Sequence, residues 1–360
     1  MDATSYGYEI DFLPVGNGER SGDAIAIRYG VSPHYKVMVV DGGTKDSGQA
    51  LVEHIQRYYH TTYVDYLVNT HPDADHASGL EIVLEQLTVG EVWVHRPWEY
   101  ASEILHRFND QRITNESLAV RFKDQLSYPY RLEEIAQKKG VPVYEPFAGS
   151  RIGDFLVLSP TIDWYLELIP QFNKTPEAKV PGLDMAYSST STQSRLIAEH
   201  WDLETLPEEG FTSGENESSV ILYGNLGGKG ILLTGDAGTQ ALTRASNYAA
   251  ALGLDLSTSR FVQVPHHGSR RNINPRILNR ILGPKVARGS HPNKTAFVSS
   301  SKTSKSHPRK VVVNAFIRRG CNLHATQGQS KCHYNNMPER EGWSASAPLS
   351  FFNQVEDHSA

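Results

Sequence analysis

The hydrophobic and polar positions of the first hundred residues predict short strands that alternate with helices. Strands are predicted at residues 8–15, 24–29, 36–40, 64–69 and 92–94, where apolar or alternating runs end at turn-forming residues. Apolar residues at helical spacing predict helices over residues 47–59 and 77–87. This strand–helix–strand rhythm is typical of α/β proteins, which place their chemistry at the ends of strands.

The rest of the chain continues the α/β pattern around one irregular segment. The predicted elements are helices within 100–139, 239–252 and 308–319, and strands at 141–144, 155–158, 218–223, 230–233, 261–264, 295–298 and 322–326. The strands at 218–223 and 230–233 are expected to form a hairpin. Residues 171–214 lose periodicity and contain several prolines, which indicates a loop-rich insertion. We therefore predict one domain over residues 1–330 with this insertion, followed by a polar C-terminal tail over residues 331–360.

Composition narrows the class of protein without identifying it. The chain has 360 residues, of which 39% are hydrophobic, and this is enough for a large core. The formal net charge of −5 argues against a protein that coats nucleic acid by bulk charge, although a local basic groove is compatible with it. A polar N-terminus and the lack of a long apolar stretch predict no signal peptide, no membrane span and a cytoplasmic location. The two cysteines, Cys321 and Cys332, are expected to be free thiols.

A dense cluster of possible metal ligands follows the predicted strand at 64–69. His71, Asp73, Asp75 and His76 lie within six residues, and Pro72 blocks simple continuation of the strand. Carboxylates this close together would repel one another without a cation. Aspartates that cap the following helix are the alternative interpretation. The density of ligand-type side chains on one turn favours the metal site.

Two later strands also end in ligand-type side chains. Asp236 follows the strand at 230–233, and His266 and His267 follow the strand at 261–264. Each group alone is weak, because an aspartate can cap a helix and paired histidines can form a solvated turn. Parallel strand ends converge in space, so the separate groups together predict one metal centre. Imidazole and carboxylate ligands suit Zn²⁺, Mn²⁺ or iron rather than a thiolate-bound ion.

These residues, in this order, resemble the motifs of the metallo-β-lactamase superfamily. The motifs are Asp41 after a strand, His71-Pro72-Asp73-Ala74-Asp75-His76, Thr234-Gly235-Asp236 and His266-His267-Gly268-Ser269. The closest resemblance is to the hydrolase domain of the bacterial competence DNA-uptake channel protein and its stand-alone relatives, over residues 8–328. That subgroup's pattern is also met by Val15-Gly16-Asn17-Gly18, Gly22-Asp23-Ala24, Asp41-Gly42-Gly43, Asn216-Glu217-Ser218-Ser219 and Ser306-His307-Pro308. The resemblance implies a four-layered αββα sandwich; the channel's membrane helices have no counterpart here, so DNA uptake itself is not implied.

The resemblance also implies a centre of two divalent metal ions, Zn²⁺ or Mn²⁺, that hydrolyses its substrate with a metal-bound hydroxide. His71 and Asp73 would bind the first ion, and Asp75 and His76 would bind the second. Asp236 would bridge the two ions, and Asp75 would also help to orient the nucleophile. Asp75 and Asp236 are therefore expected to be catalytic residues as well as ligands.

Three further residues take supporting roles in the same interpretation. Asp41 would orient the metal ligands by hydrogen bonding to them. One member of the later histidine pair would bind metal and the other would protonate the leaving oxygen. We assign His266 as the ligand and His267 as the general acid, although the sequence alone leaves the reverse assignment open.

Two positions depart from the usual superfamily pattern. Asp73 stands where a second histidine is usual, and this hard oxygen ligand favours Mn²⁺ or Mg²⁺ more than a histidine would. No histidine stands shortly before the strand that leads to Asp236, where the third ligand of the first ion usually lies. Asn216 and Ser218 are found there instead. The first ion is therefore expected to be held more weakly than the second.

Cations beside the predicted centre favour a phosphate-containing substrate. Arg270 follows the histidine pair, and Lys302, Lys305 and His307 follow the strand at 295–298. Together with the resemblance, they favour a phosphodiesterase or nuclease that cleaves DNA or RNA. A phosphodiesterase of cyclic or small nucleotides and a non-catalytic regulatory or binding module are the alternatives. The sequence does not identify a protein partner.

Overall fold

The computed structural model describes residues 5–16, 22–110, 112–173 and 195–357, and its first large sheet comes from both ends of this range. The strands of this sheet are β1 (Tyr6–Phe12), β2 (Ala24–Val31), β3 (His34–Gly42), β4 (Tyr63–Val68), β5 (Thr88–Trp93), β6 (Val143–Tyr144) and β15 (Lys331–Asn335). Their spatial order is β15-β1-β2-β3-β4-β5-β6. The strands from β3 to β6 run parallel, whereas β15, β1, β2 and β3 pair in antiparallel fashion.

The second large sheet is built from the later part of the chain. Its strands are β7 (Arg151–Ile152), β8 (Phe155–Ser159), β10 (Ile221–Leu226), β11 (Lys229–Leu233), β12 (Phe261–Gln263), β13 (Lys294–Val298) and β14 (Cys321–Ala325). Their spatial order is β14-β13-β12-β11-β10-β8-β7, and the strands from β11 to β14 are parallel. A separate small sheet pairs β9 (Leu196–Ala198) with β16 (Gln354–Glu356).

Helices cover the outer face of each large sheet. The α-helices are α1 (Lys45–His54), α2 (Ala74–Gln86), α3 (Ala101–Ile104), α4 (Asn115–Gln125), α5 (Ser127–Lys139), α6 (Ile162–Leu168), α7 (Gly214–Glu217), α8 (Thr239–Ala251), α9 (Pro275–Leu282) and α10 (Lys310–Ile317). The helices α1, α2 and α5 share one apolar cluster with the first sheet. The helices α8, α9 and α10 share another with the second sheet. None of the described helices is both long enough and apolar enough to cross a membrane.

The two sheets face each other across a third apolar cluster. Ile10 and Ile25 from the first sheet pack in the same cluster as Leu222, Ile231 and Phe261 from the second, and all five side chains are fully buried. Alternate residues of the same strands point outwards to the helices, as the two-residue period of a strand requires. The protein is therefore a four-layered αββα sandwich of the metallo-β-lactamase type, and the predicted fold is confirmed.

A close approach between backbones fixes α2 against the end of β3. The Gly79 N–H donates to the Gly43 carbonyl oxygen (3.0 Å). A Cβ atom on Gly79 would lie 1.9 Å from the Gly42 carbonyl oxygen and 2.5 Å from that of Thr44, so only glycine fits there. Because α2 carries the second half of the predicted ligand motif in its first turn, this contact also positions that motif.

Several element boundaries differ from the sequence prediction. The helix α2 begins at Ala74 rather than residue 77, so Asp75 and His76 lie inside its first turn. The hairpin is present, but its first strand spans Ile221–Leu226 rather than 218–223 because residues 214–217 form the short helix α7. Both cysteines are free thiols, as expected. Residues 17–21 of the early glycine motifs and residues 174–194 of the expected insertion lie outside the described residues.

The segment expected to be a polar tail adds a strand to the first sheet. Residues 331–335 form β15, which pairs with β1 along its whole length. A few residues later, Arg340 donates to both oxygens of Asp11 (2.7 Å each) and to Oε2 of Glu9 (2.6 Å). Tyr59 and His54 also contact the Asp11 carboxylate, at 2.6 and 3.1 Å. Because Asp11 and Glu9 are buried, their charges require cations, and Arg340 contacts both while Arg28 also pairs with Glu9 (2.5 Å).

Candidate metal centre

The predicted ligands meet at one edge of the sandwich because four strands from two sheets end there. Asp41 lies near the end of β3, and His71 follows β4 in the first sheet. Asp236 follows β11, and the pair His266 and His267 follows β12 in the second sheet. Packing the two sheets face to face brings these strand ends together, so the site spans both halves of the fold.

Four histidine side chains point their Nε2 atoms at one carboxylate oxygen, Oδ2 of Asp236. The distances are 3.4 Å from His76, 3.6 Å from His267, 3.7 Å from His266 and 3.8 Å from His71. These distances exceed those of ordinary N–H···O hydrogen bonds, which lie at about 2.7–3.2 Å. Oδ1 of Asp236 and Nε2 of both His71 and His76 are buried without a hydrogen-bond partner among the described residues. Because buried polar atoms are normally paired, these unpartnered atoms indicate that the site binds a further group, such as an ion.

The spacing and chemistry of these atoms fit divalent metal ions. Two ligands that each lie about 2.0–2.1 Å from a tetrahedral Zn²⁺ are separated by roughly 3.3–3.4 Å. The histidine-to-Asp236 distances are close to this value, and imidazole with carboxylate is a common ligand set for Zn²⁺ and Mn²⁺. The residues present therefore suit a metal centre, whereas the observed distances do not suit a hydrogen-bonded polar core.

Ligand-type atoms flank Asp236 on two sides. On one side, Asp75, His76 and His267 have nitrogen and oxygen atoms within 4.8 Å of one another. On the other side, His71 Nε2 lies 3.7 Å from Asp73 Oδ2 as well as near Asp236. The structure thus brings together all six residues that the sequence analysis nominated as ligands, which are His71, Asp73, Asp75, His76, Asp236 and His266. It also brings His267 into the cluster.

The Asp41 carboxylate contacts Thr70 and His76, which lie in the segment that carries the first predicted ligands. Its Oδ2 lies 2.8 Å from His76 Nδ1 and accepts the Thr70 hydroxyl (2.6 Å), while Oδ1 accepts the Thr70 N–H (2.8 Å). The Thr70 hydroxyl oxygen also lies 2.9 Å from His71 Nδ1. A carboxylate at Nδ1 requires a proton on that nitrogen, so Nε2 of His76 presents a lone pair towards Asp236. Asp41 therefore lies where a ligand-orienting residue is expected.

The two adjacent histidines differ in burial and in neighbours. The His267 side chain is 4% exposed and lies in the cluster with Asp75 and His76, whereas the His266 side chain is 30% exposed. His266 Nδ1 lies 3.0 Å from the Asn216 amide nitrogen, and Asn216 also contacts the Thr212 hydroxyl at 2.6 Å. Asn216, which occupies the place of the missing histidine in the sequence, thus contacts His266.

The charged groups at the centre shift one another's pKa values. Burial would raise the pKa of the Asp236 carboxyl, but His76, His266 and His267 outweigh it and hold this pKa well below its usual value. Burial would lower the pKa of His76, but the carboxylates of Asp236 and Asp41 raise it well above its usual value. Burial lowers the pKa of His267 to about 4, which keeps its imidazole in the neutral form that binds metals.

Sequence reasoning assigned no role to Asp23, which the structure places at the centre. Its Oδ2 lies 3.9 Å from His76 Nδ1 and accepts a hydrogen bond from Gln263 Nε2 (2.8 Å). Burial raises the pKa of this carboxyl to about 7. The residue directly precedes β2, whose first residue Ala24 pairs with Gly42 at the end of β3. An antiparallel neighbour of a strand that ends at the site must begin at the site, and this signal was available in the sequence.

The predicted substrate-binding residues lie beside the histidine pair. Arg270 donates to the Asp357 carbonyl oxygen (2.8 Å). The loop that carries Lys302, Lys305 and His307 packs against the histidine turn: the Arg309 N–H donates to the Gly268 carbonyl oxygen (3.1 Å). A Cβ atom on Gly268 would lie 2.6 Å from Cβ of Pro308. Lys302 and Lys305 are exposed residues of this loop.

Comparison with a family model supports membership of the metallo-β-lactamase superfamily. Residues 18–157 match the family model described as "Metallo-beta-lactamase superfamily", which covers less than half of the chain. No curated protein matches the chain. The solved structure of unliganded yeast PDE1 is 11% identical, with 88% of this chain and 96% of that chain covered and a TM-score of 0.40. The metallo-beta-lactamase fold protein YhfI from Bacillus subtilis is 8% identical, with 91% and 100% covered and a TM-score of 0.42.

Structural similarity at 8–11% sequence identity indicates no shared function. The family match includes Asp41 and the whole of the motif from His71 to His76, and it supports superfamily membership. The closer resemblance to the competence hydrolase domain stays a prediction.

Proposed function

We propose that this chain is a hydrolase that depends on two divalent metal ions and cleaves phosphodiester bonds, most favourably those of DNA or RNA. The observation that carries the proposal is the convergence of four histidine Nε2 atoms on Asp236 Oδ2 at 3.4–3.8 Å. Divalent ions bound there would make water a nucleophile at neutral pH and would offset the negative charge of the attacked phosphate. The metallo-β-lactamase fold and the matching family model support this reading.

The ligands divide into two sets that share Asp236. His71 and Asp73 would hold one ion, and Asp75, His76 and His267 would hold the other. This assignment reverses the roles first given to the histidine pair. The burial of His267 and its place beside Asp75 and His76 favour it as a ligand. An extra carboxylate at Asp73 favours Mn²⁺ over Zn²⁺ at the first position.

His266 is the better candidate for the general acid. It is the more exposed of the two histidines, and the Asn216 amide lies against its Nδ1. If the Asn216 NH₂ group donates to Nδ1, the proton of neutral His266 sits on Nε2. That proton faces the centre and would pass to the oxygen of the departing group when the phosphodiester bond breaks. Asn216 would then position the acid.

Positive side chains beside the centre support a phosphodiester as the substrate. Arg270 lies three positions after His267, His307 precedes the Pro308 that packs against Gly268, and the exposed Lys302 and Lys305 belong to the same loop as His307. Guanidinium and ammonium groups bind phosphate oxygens through charge-assisted hydrogen bonds. These groups would bind the phosphates next to the one that is cleaved.

The test is hydrolysis by the metal-supplemented protein of single-stranded DNA, duplex DNA, RNA, cyclic nucleotides and bis(p-nitrophenyl) phosphate in parallel. We expect Mn²⁺- or Zn²⁺-dependent cleavage of a polymer. His71→Ala, Asp75→Ala and Asp236→Ala should each abolish it and lower the bound metal, whereas the exposed Asp163→Ala should change neither.

Each alternative has its own outcome in this experiment. Turnover of a cyclic nucleotide without cleavage of any polymer would indicate a small-molecule phosphodiesterase rather than a nuclease. Absence of bound metal and of all hydrolysis would indicate a regulatory or binding module. Full activity of Asp236→Ala would refute the two-metal centre.

A further inference from the structure

A cavity of about 520 Å³ lies between α8 and α9 on the outer face of the second sheet. We call it the arginine groove. The helix α8 contributes Gln240, Thr243 and Arg244, and α9 contributes Arg276, Ile277 and Arg280. All three arginines are exposed, and the fully buried Ile277 is the apolar residue of the lining.

The charge of the groove is opposite to that of the chain. The formal net charge of the protein is −5, yet the lining holds three arginines and no carboxylate among the described residues. Clefts lined by one sign of charge concentrate ligands of the opposite sign. The groove therefore favours a polyanion.

The end of the groove formed by the helix N-termini is directed towards the candidate metal centre, and the Gly210 backbone contacts Thr239 and Arg271 at this end. Thr239, the first residue of α8 and part of the lining, lies three positions after Asp236. Asn274, the N-cap of α9 and also part of the lining, lies seven positions after His267. Both helices follow parallel strands that end at the centre, so they run back from that edge across the sheet. A strand that leaves the centre in this direction would pass the segment of Glu208 and Gly210 and then meet the arginines.

The present contacts of the arginines leave their charge available. Arg244 lies over the Trp164 ring at 4.5 Å, and Arg280 donates to the Asn247 side-chain oxygen at 2.5 Å. Arg276 lies 3.7 Å from the Glu208 carboxylate, but the two side chains are 77% and 68% exposed. An exposed pair of this kind contributes little and exchanges readily with another anion.

We propose that the arginine groove binds the sugar–phosphate backbone of a single-stranded nucleic acid whose neighbouring phosphodiester lies at the metal centre. The proposal rests on the proposed function. A single strand suits the groove because a cavity of about 520 Å³ is too small for a double helix to enter. Arginine side chains suit phosphate oxygens because they donate two parallel hydrogen bonds.

The test measures binding without catalysis. The full chain, in EDTA, is titrated into fluorescein-labelled single-stranded DNA and followed by anisotropy at several salt concentrations. Arg276→Glu/Arg280→Glu should weaken binding by about tenfold or more per arginine, since each loses a hydrogen bond to a charged group. Arg276→Gln/Arg280→Gln should lower the slope of log K against log salt by roughly 0.7 per lost phosphate contact.

The control carries the same change of charge elsewhere. Arg57 and Lys138 are exposed on the helical layer of the first sheet, and Arg57→Glu/Lys138→Glu should bind single-stranded DNA within about twofold of the unchanged protein. Equal losses in both variants would overturn the proposal, because bulk charge would then explain the binding. Equal affinity for duplex DNA, or equal competition by poly-L-glutamate, would also overturn it.

The two proposals fail separately. If the unchanged protein hydrolyses bis(p-nitrophenyl) phosphate with added metal but does not bind single-stranded DNA, the groove proposal is wrong and the metal-dependent hydrolase stands. If the groove variants lose binding but no phosphodiester is hydrolysed under any metal, the groove stands as a nucleic-acid site and the proposed hydrolase is wrong.

Discussion

Replacing Asp41 by asparagine should weaken metal binding while leaving the fold intact. Asp41 is fully buried and its carboxylate contacts four partners, which are the Thr70 N–H, the Thr70 hydroxyl, His76 Nδ1 and the Asn69 amide. Its φ of +56° lies in the left-handed region, which asparagine adopts as readily as aspartate. The substitution therefore adds no backbone strain, and its effect reports on the lost negative oxygen.

The effect on metal affinity follows from the position of one proton. In the substituted protein, an NH₂ group that replaces Oδ2 would face His76 Nδ1. His76 would then keep its proton on Nε2, the atom that points at Asp236 from 3.4 Å, and would lose its lone pair there. Loss of a partner that orients a ligand lowers metal affinity about 10–100-fold. This corresponds to about 1.4–2.7 kcal/mol.

The measurement is calorimetric titration of the metal-free protein with Mn²⁺ and Zn²⁺, together with thermal unfolding with and without metal. Asp65→Asn is the matched control, because Asp65 lies on β4 of the same sheet and accepts the Val37 N–H (2.8 Å) away from the centre. Asp41→Asn should lose affinity and lose metal-dependent stabilisation, whereas Asp65→Asn should lose neither. Unchanged affinity in Asp41→Asn would refute the orienting role.

Three further changes test the fold. Arg340→Met should lower the free energy of unfolding in urea by about 3–5 kcal/mol, because the buried Asp11 carboxylate would lose its arginine partner, although Glu9 would still pair with Arg28; a loss below about 1 kcal/mol would contradict this. Burial raises the pKa of Glu217 to about 7 from 4.5, so the stability it provides falls as pH rises between these values. Glu217→Gln should accordingly be more stable than the unchanged protein at pH 8, by up to about 3 kcal/mol, and equal to it at pH 4. Gly79→Ala should lower the free energy of unfolding by about 3 kcal/mol, because the added methyl group would clash with the Gly42 backbone. Gln86→Ala, at the exposed end of the same helix, should have the same melting temperature as the unchanged protein.

Much of the fold and the ligand set could be predicted because strand ends carry a local signal. An apolar run that stops at His71, at Asp236 or at His266 is visible within a few residues, and the fold rule that parallel strand ends converge supplies the rest. The proposed metal ligands lie at such strand ends or in the turn and helix start that directly follow one. Asp41 was recognisable for the same reason, since it ends an apolar strand of its own.

What could not be predicted depends on partners that are distant in sequence. The pairing of Asn216 with His266 joins residues fifty positions apart, and no periodicity encodes it. The choice between His266 and His267 as ligand likewise needs burial, which adjacent residues in a turn do not reveal. The strand β15 was missed because Lys331–Asn335 has an irregular polar pattern, and its side chains are mostly half-buried at a sheet edge.

The pairing of β15 with β1 sets the order in which the protein can be completed during synthesis. Tyr8 and His333, whose side chains meet across these strands, are separated by 325 positions, so β1 emerges from the ribosome long before its partner. Until residues near 340 are made, the edge of β1 is open to pairing with other chains, and Asp11 lacks the hydrogen bonds that Arg340 donates. A chain that ended before residue 331 would therefore expose an unpaired strand edge and would leave Asp11 without its arginine partner, which would make it a target for chaperones or proteases.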